Sequence, residues 1–93
     1  MSTRIATRQE VYAAIDGERR YQDALWDDYS SPNKQTVEAW LVYMQDYLTE
    51  AMHIISRGAD STAKPKALAS IRKITAMGVA CMEQNGAPER NVL

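Results

Sequence analysis

The sequence predicts an all-α fold, a three-helix protomer with short connecting loops, and three observations lead there. Prolines stand only at 32, 65 and 88 and glycines only at 17, 58, 78 and 86, and breakers of this kind mark helix boundaries. Between them lie three long stretches in which apolar residues recur by threes and fours, the helical period. No segment alternates with period two, so strands are not expected.

The first helix is expected over about residues 7–28. Val11, Ile15, Gln22, Leu25 and Trp26 fall near one face, with Ala14 and Tyr21 close beside it. Gly17 interrupts the pattern at a cost of about 1 kcal/mol relative to alanine. The block Asp16-Gly17-Glu18-Arg19-Arg20 is polar almost all round, so the apolar stripe fades mid-helix. Ser30, Ser31 and Pro32 end the element, since proline cannot continue a helix.

The second helix, about 36–56, shows the clearest pattern. Val37, Leu41, Met44, Leu48, Met52 and Ile55 form an amphipathic stripe, which Trp40, Tyr43 and Tyr47 widen beyond the needs of one partner helix. Arg57-Gly58 is the expected stop, with glycine free to take the left-handed cap conformation. The third helix is expected over about 65–85, with Ser61 or Thr62 as N-cap. Leu68, Ile71, Ile74, Thr75, Gly78, Cys81 and Met82 carry its periodic face, and Asn85-Gly86 followed by Pro88 closes it.

Composition then bounds function. A chain of 93 residues makes a single small domain, burying roughly 60–65% of its unfolded surface. Two tryptophans, five tyrosines and five methionines are a large apolar load for a lone three-helix bundle, so a homo-oligomer is expected. No apolar run reaches the roughly 18–20 residues of a membrane span, and the first residues lack a signal-peptide core. A net charge of −1 argues against binding DNA or RNA polymers, which favours a basic excess. Cys81, the only cysteine, fits a reducing cytoplasm.

An enzyme of the nucleotide pyrophosphohydrolase type would need carboxylates from two helices converging on magnesium. Helix two offers Glu38, Asp46 and Glu50, but helix three has no Asp or Glu between Pro65 and Met82. The acids read as a solvated face, and His53 and Cys81 as packing or surface residues. No catalytic residue, metal or cofactor is assigned.

Charge is segregated by element. Residues 36–56 contain three acids and no Lys or Arg, whereas residues 57–73 carry Arg57, Lys64, Lys66, Arg72 and Lys73 against Asp60. Cations near a helix N-terminus suit an anion such as phosphate. Arg4 and Arg8 stand close to Tyr12, and a ring beside a cation can stack a base while neutralising its phosphate.

The blocks Glu18-Arg19-Arg20-Tyr21-Gln22-Asp23-Ala24-Leu25-Trp26, Val37-Glu38-Ala39-Trp40-Leu41 through Ala51, and Ile71-Arg72-Lys73-Ile74 through Glu89-Arg90 resemble a family of small phage and prophage proteins that includes the anti-CBASS cyclic-oligonucleotide sponges. The likeness spans about residues 10–90 and is most specific in Met82-Glu83-Gln84-Asn85-Gly86-Ala87-Pro88-Glu89-Arg90. The resemblance implies a compact homohexamer in the cytoplasm of an infected bacterium. It would bind, without cleaving, the cyclic dinucleotides and cyclic trinucleotides of bacterial defence signalling, in separate pockets between protomers. It also implies Tyr12 as the base stacker and Lys34 as the cation for the dinucleotide, and Arg72 and Thr75 for the trinucleotide; Arg8 and Lys73 join them as neighbouring cations. Two alternatives stay open, a structural or regulatory phage protein that binds other proteins and a degenerate pyrophosphohydrolase of the MazG type.

Overall fold

A computed structural model describes residues 3–26, 35–58 and 60–91. The described residues form three helices and no strand: α1 (Arg8–Trp26), α2 (Val37–Arg57) and α3 (Ala63–Asn85). The expected stop at Ser30–Pro32 and the candidate Lys34 lie outside the described residues.

α1 and α2 start where a threonine side chain satisfies one of their first N–H groups. At α1, the Glu10 N–H donates to Thr7 Oγ1 at 3.1 Å and the Thr7 N–H donates to Glu10 Oε1 at 3.0 Å, a reciprocal capping box. The hydrogen bonds from Thr7, first its backbone N–H, hold the Glu10 carboxyl below the ordinary glutamate value. At α2, Thr36 Oγ1 accepts from the Ala39 N–H at 3.1 Å. At α3 the expectation needs correcting. The helix begins at Ala63, so Pro65 sits inside the first turn, where its missing N–H costs no helical bond. Thr62 holds the N-cap position without a side-chain cap bond. Asp60 does the work of the turn, accepting from both the hydroxyl and the backbone N–H of Thr62, which lowers its carboxyl pKa.

The two glycines that end helices do so for different reasons. Gly86 has φ 117°, in the region that favours glycine, and its N–H donates to the Met82 carbonyl at 2.8 Å. Gly58 has φ −82°, so the expected left-handed cap is not formed. Glycine is required there by space, because a Cβ would collide with the Ala63 Cβ and the Ile54 carbonyl oxygen.

α2 and α3 run antiparallel, with the start of α2 beside the end of α3. Trp40 Nε1 and the Gln35 N–H both donate to Gln84 Oε1 at 2.9 Å, and Asn85 Nδ2 donates to the Gln35 carbonyl at 3.0 Å. α3 is the central helix, taking α2 on one flank and α1 on another. It does so with small residues: Ala63, Ala67, Ala76 and Ala80 are buried along it. α1 and α2 meet through Trp26 and Trp40, whose ring centroids lie 5.6 Å apart. Trp40, Met77 and Ala80 form the core, packed by Trp26, Met44, Tyr47 and Cys81.

This core is thin, and the sequence placed its faces differently. Of the expected α2 stripe only Met44 is half-buried, while Val37, Leu41, Leu48, Met52 and Ile55 are exposed. The inward face is the flank, Trp40, Tyr47 and Ala51. On α3, Leu68, Ile71 and Met82 are exposed, and on α1 so are Val11, Tyr21 and Leu25. The accessible surface is 7769 Å², whereas a folded monomer of this mass exposes about 5,400 Å².

With so little core, Trp40 carries a large share of it. Trp40→Ala should cost about 3–5 kcal/mol and remove the indole hydrogen bond to Gln84, leaving that from the Gln35 N–H. Urea unfolding of the variant measures this; an unchanged midpoint would remove Trp40 from the core.

Candidate functional site

α1 is fastened to α3 by polar side chains drawn from the block that breaks its apolar stripe. Arg19 is 9% exposed. Its guanidinium donates to Glu83 Oε1 and to Asp23 Oδ1, both at 2.7 Å, and to Gln22 Oε1 at 3.4 Å. It also lies 5.9 Å from the centroid of the Trp26 ring. Burial works against the charged form, but the hydrogen bonds and negative charge of Asp23 and Glu83 outweigh it, so Arg19 holds its proton beyond the ordinary guanidinium value. Two further links cross the seam: Arg72 Nε donates to Glu18 Oε1 at 2.7 Å, and Gln22 Nε2 to the Lys73 carbonyl at 3.4 Å.

Beside this seam a cleft of about 280 Å³ opens between α1 and α3. Tyr12, Ile15 and Val79 give it an apolar wall, and Asp16, Arg19, Arg20, Asp23 and Glu83 its charges. Two arginines face three carboxylates, so the cleft has no cationic excess of its own. Arg19 is committed to Asp23 and Glu83, while Arg20 makes an exposed 3.5 Å pair with Asp16, the kind of contact that is worth little and exchanges readily.

The candidate residues fall in two places. Tyr12 lies at the cleft with its side chain 63% exposed. Arg8, also exposed, precedes it by four positions and so shares its face of α1. Arg72, Lys73 and Thr75 sit on α3 and do not line the cleft. There Arg72 is paired with Glu18, whose side chain is 9% exposed. Lys73 Nζ lies 5.2 Å above the Tyr47 ring, and the Thr75 hydroxyl donates to the Ile71 carbonyl at 2.7 Å. Within one protomer, then, the cleft takes up Tyr12 alone of these. Among the described residues no three His, Cys, Asp or Glu side chains come together as a metal site.

Sequence reasoning missed Arg19, Asp23 and Glu83. A signal existed: Arg19, Gln22 and Trp26 are spaced by three and four, which puts Arg19 on the face to which Gln22 and Trp26 already belonged. Arg19→Ala should cost about 2–4 kcal/mol, through lost charge-assisted bonds and an unsatisfied Gln22. Arg20→Ala should stay within about 0.5 kcal/mol. Denaturant unfolding of both variants separates them, and equal losses would mean that burial of Arg19 is unimportant.

No family model, curated protein or solved structure matches the chain.

Proposed function

We propose that the protein is a binding protein, a homo-oligomer of hexameric size, that sequesters cyclic dinucleotides and cyclic trinucleotides without cleaving them and so blocks CBASS-type defence signalling. The observation that carries this reading is Tyr12, 63% exposed at the lip of the cleft, with Arg8 four positions before it on the same helix face. An exposed ring that shares a face with a cation offers both halves of a nucleotide site, stacking and phosphate neutralisation. The likeness of the blocks around residues 18–26 and 71–90 to the anti-CBASS sponges supplies the ligand class.

In this reading Tyr12 stacks a base, with Arg8 and Lys34 neutralising the phosphates of a dinucleotide. Because Arg19 is spent inside the protomer, the cleft needs cations from such neighbouring positions or from a second copy. Arg72 and Thr75 serve a separate trinucleotide site, with Lys73 a neighbouring cation that faces Tyr47. Arg72 would exchange Glu18 for phosphate there, which is possible because its own side chain is 47% exposed. The exposed apolar faces of α2 and α3 favour a second reading, a protein-interaction module. It would show the same assembly with no nucleotide affinity.

Calorimetry against a panel of cyclic di- and trinucleotides, followed by chromatography of the recovered ligand, tests the proposal. Tyr12→Ala should remove roughly 1–3 kcal/mol of dinucleotide binding and spare the trinucleotide. Arg72→Ala should weaken trinucleotide binding by about 1.5–3 kcal/mol and the dinucleotide less, through the lost tie of α1 to α3 at Glu18. Absence of heat with every ligand, or recovery of a cleaved product, would contradict it.

A further inference from the structure

Among the described residues, α2 and α3 each carry a second apolar stripe that stays exposed. On α2 it is Val37, Leu41, Leu48, Met52 and Ile55; on α3 it is Leu68, Ile71 and Met82. Two contacts fix where the stripes lie. On one side of the α2–α3 seam the Met44 methyl faces Gly78, and on the other Lys73 sits over Tyr47. At about 100° of turn per residue, the α2 stripe lies beyond Met44 and away from Tyr47. By the same count the α3 stripe lies beyond Gly78 and away from Lys73. Both stripes therefore border one edge of the seam and join into a single two-helix face.

We propose that this face is where a second copy of the chain docks. The inference rests on the homo-oligomer part of the function proposed above and is independent of the nucleotide. Surface area is the first argument. The eight large apolar side chains of the two stripes are each 43–64% exposed, a contiguous apolar patch of the kind that marks an interaction site. Charge is the second. The α2 stripe from Val37 to Ile55 and the α3 stripe from Leu68 to Met82 contain no charged residue, the depletion that marks an interface centre. A two-fold contact sets a patch against itself, so freedom from like charge is what self-docking requires. A bilayer surface is the poorer occupant, because Glu38, Asp46 and Glu50 of α2 largely offset Lys64, Lys66, Arg72 and Lys73 of α3, whereas anionic lipid selects a basic excess around the apolar face.

The test is sedimentation equilibrium of the full chain without nucleotide, beside circular dichroism. Wild type should run as an oligomer. Leu48→Glu and Ile71→Glu should each move the mass toward the 10.5 kDa chain, while Asp46→Lys, off the stripe, should not. Should the glutamate variants lose helicity, Leu48→Ala and Ile71→Ala should remain folded at high concentration and dissociate at a concentration at least tenfold above wild type. Monomeric wild type at micromolar concentration would overturn the proposal, as would glutamate variants of unchanged mass. Monomeric wild type that binds anionic vesicles, and loses that binding in Leu48→Glu, would overturn it in favour of a membrane. A wild-type oligomer that the glutamate variants break apart, yet that ignores every cyclic nucleotide, would support this face and overturn the sponge reading alone.

Discussion

The buried Arg19 guanidinium is the fastening on which the position of α1 depends. Apart from Trp26, α1 offers α3 few large apolar side chains, since Val11 and Leu25 remain exposed. What crosses the seam instead is charge: Arg19 to Glu83, Arg72 to Glu18, and Gln22 to the Lys73 carbonyl. A buried cation is costly unless its donors are matched, and Arg19 meets this with two carboxylates, an amide oxygen and an aromatic face. Because such bonds are directional, they set the orientation of α1 more narrowly than apolar packing would. Tyr12 and Arg8, two helical turns and more upstream of Arg19, inherit their place from that orientation.

The rest of the protomer follows from the alanines of α3. Small residues at 63, 67, 76 and 80 bring neighbouring helices close but bury little apolar area each. Trp40 and Met77 fill the space that remains. The large side chains are consequently turned outward, where each of α2 and α3 shows an exposed stripe. A protomer built this way has most of its unspent apolar surface on the side away from the Arg19 seam. Assembly through that surface and ligand binding near Tyr12 would thus use different faces of the protomer, with α3 contributing to both.

The three helices were legible because proline and glycine punctuate them and their apolar residues keep the helical period. Which apolar face turns inward was not legible. Periodicity reports that Leu41, Leu48 and Met52 share a side of α2, but not whether the partner on that side belongs to the same chain. The sequence shows a stripe that Trp40, Tyr43 and Tyr47 widen beyond one partner helix; the protomer buries the flank around Trp40 and leaves most of the regular stripe exposed. Gly58 shows a similar limit, since its identity announces a helix end, whereas its need for space at Ala63 appears only with the fold. Arg19 was read as part of a solvated block, because burial of a cation depends on Glu83, sixty-four positions away. The resemblance alone assigns Tyr12 and Arg72 to separate pockets; the structure adds that Tyr12 lines the α1–α3 cleft and that Arg72 is paired with Glu18.

The central claim is that one chain does not bury enough of its own apolar surface to be stable alone. Thermal unfolding followed by circular dichroism over a hundredfold range of protein concentration tests it most directly. If folding and self-association are linked, mass action requires Tm to rise with concentration. A Tm that stays constant across the whole range, with a cooperative transition at the lowest concentration, would show that the three helices suffice by themselves and contradict the account.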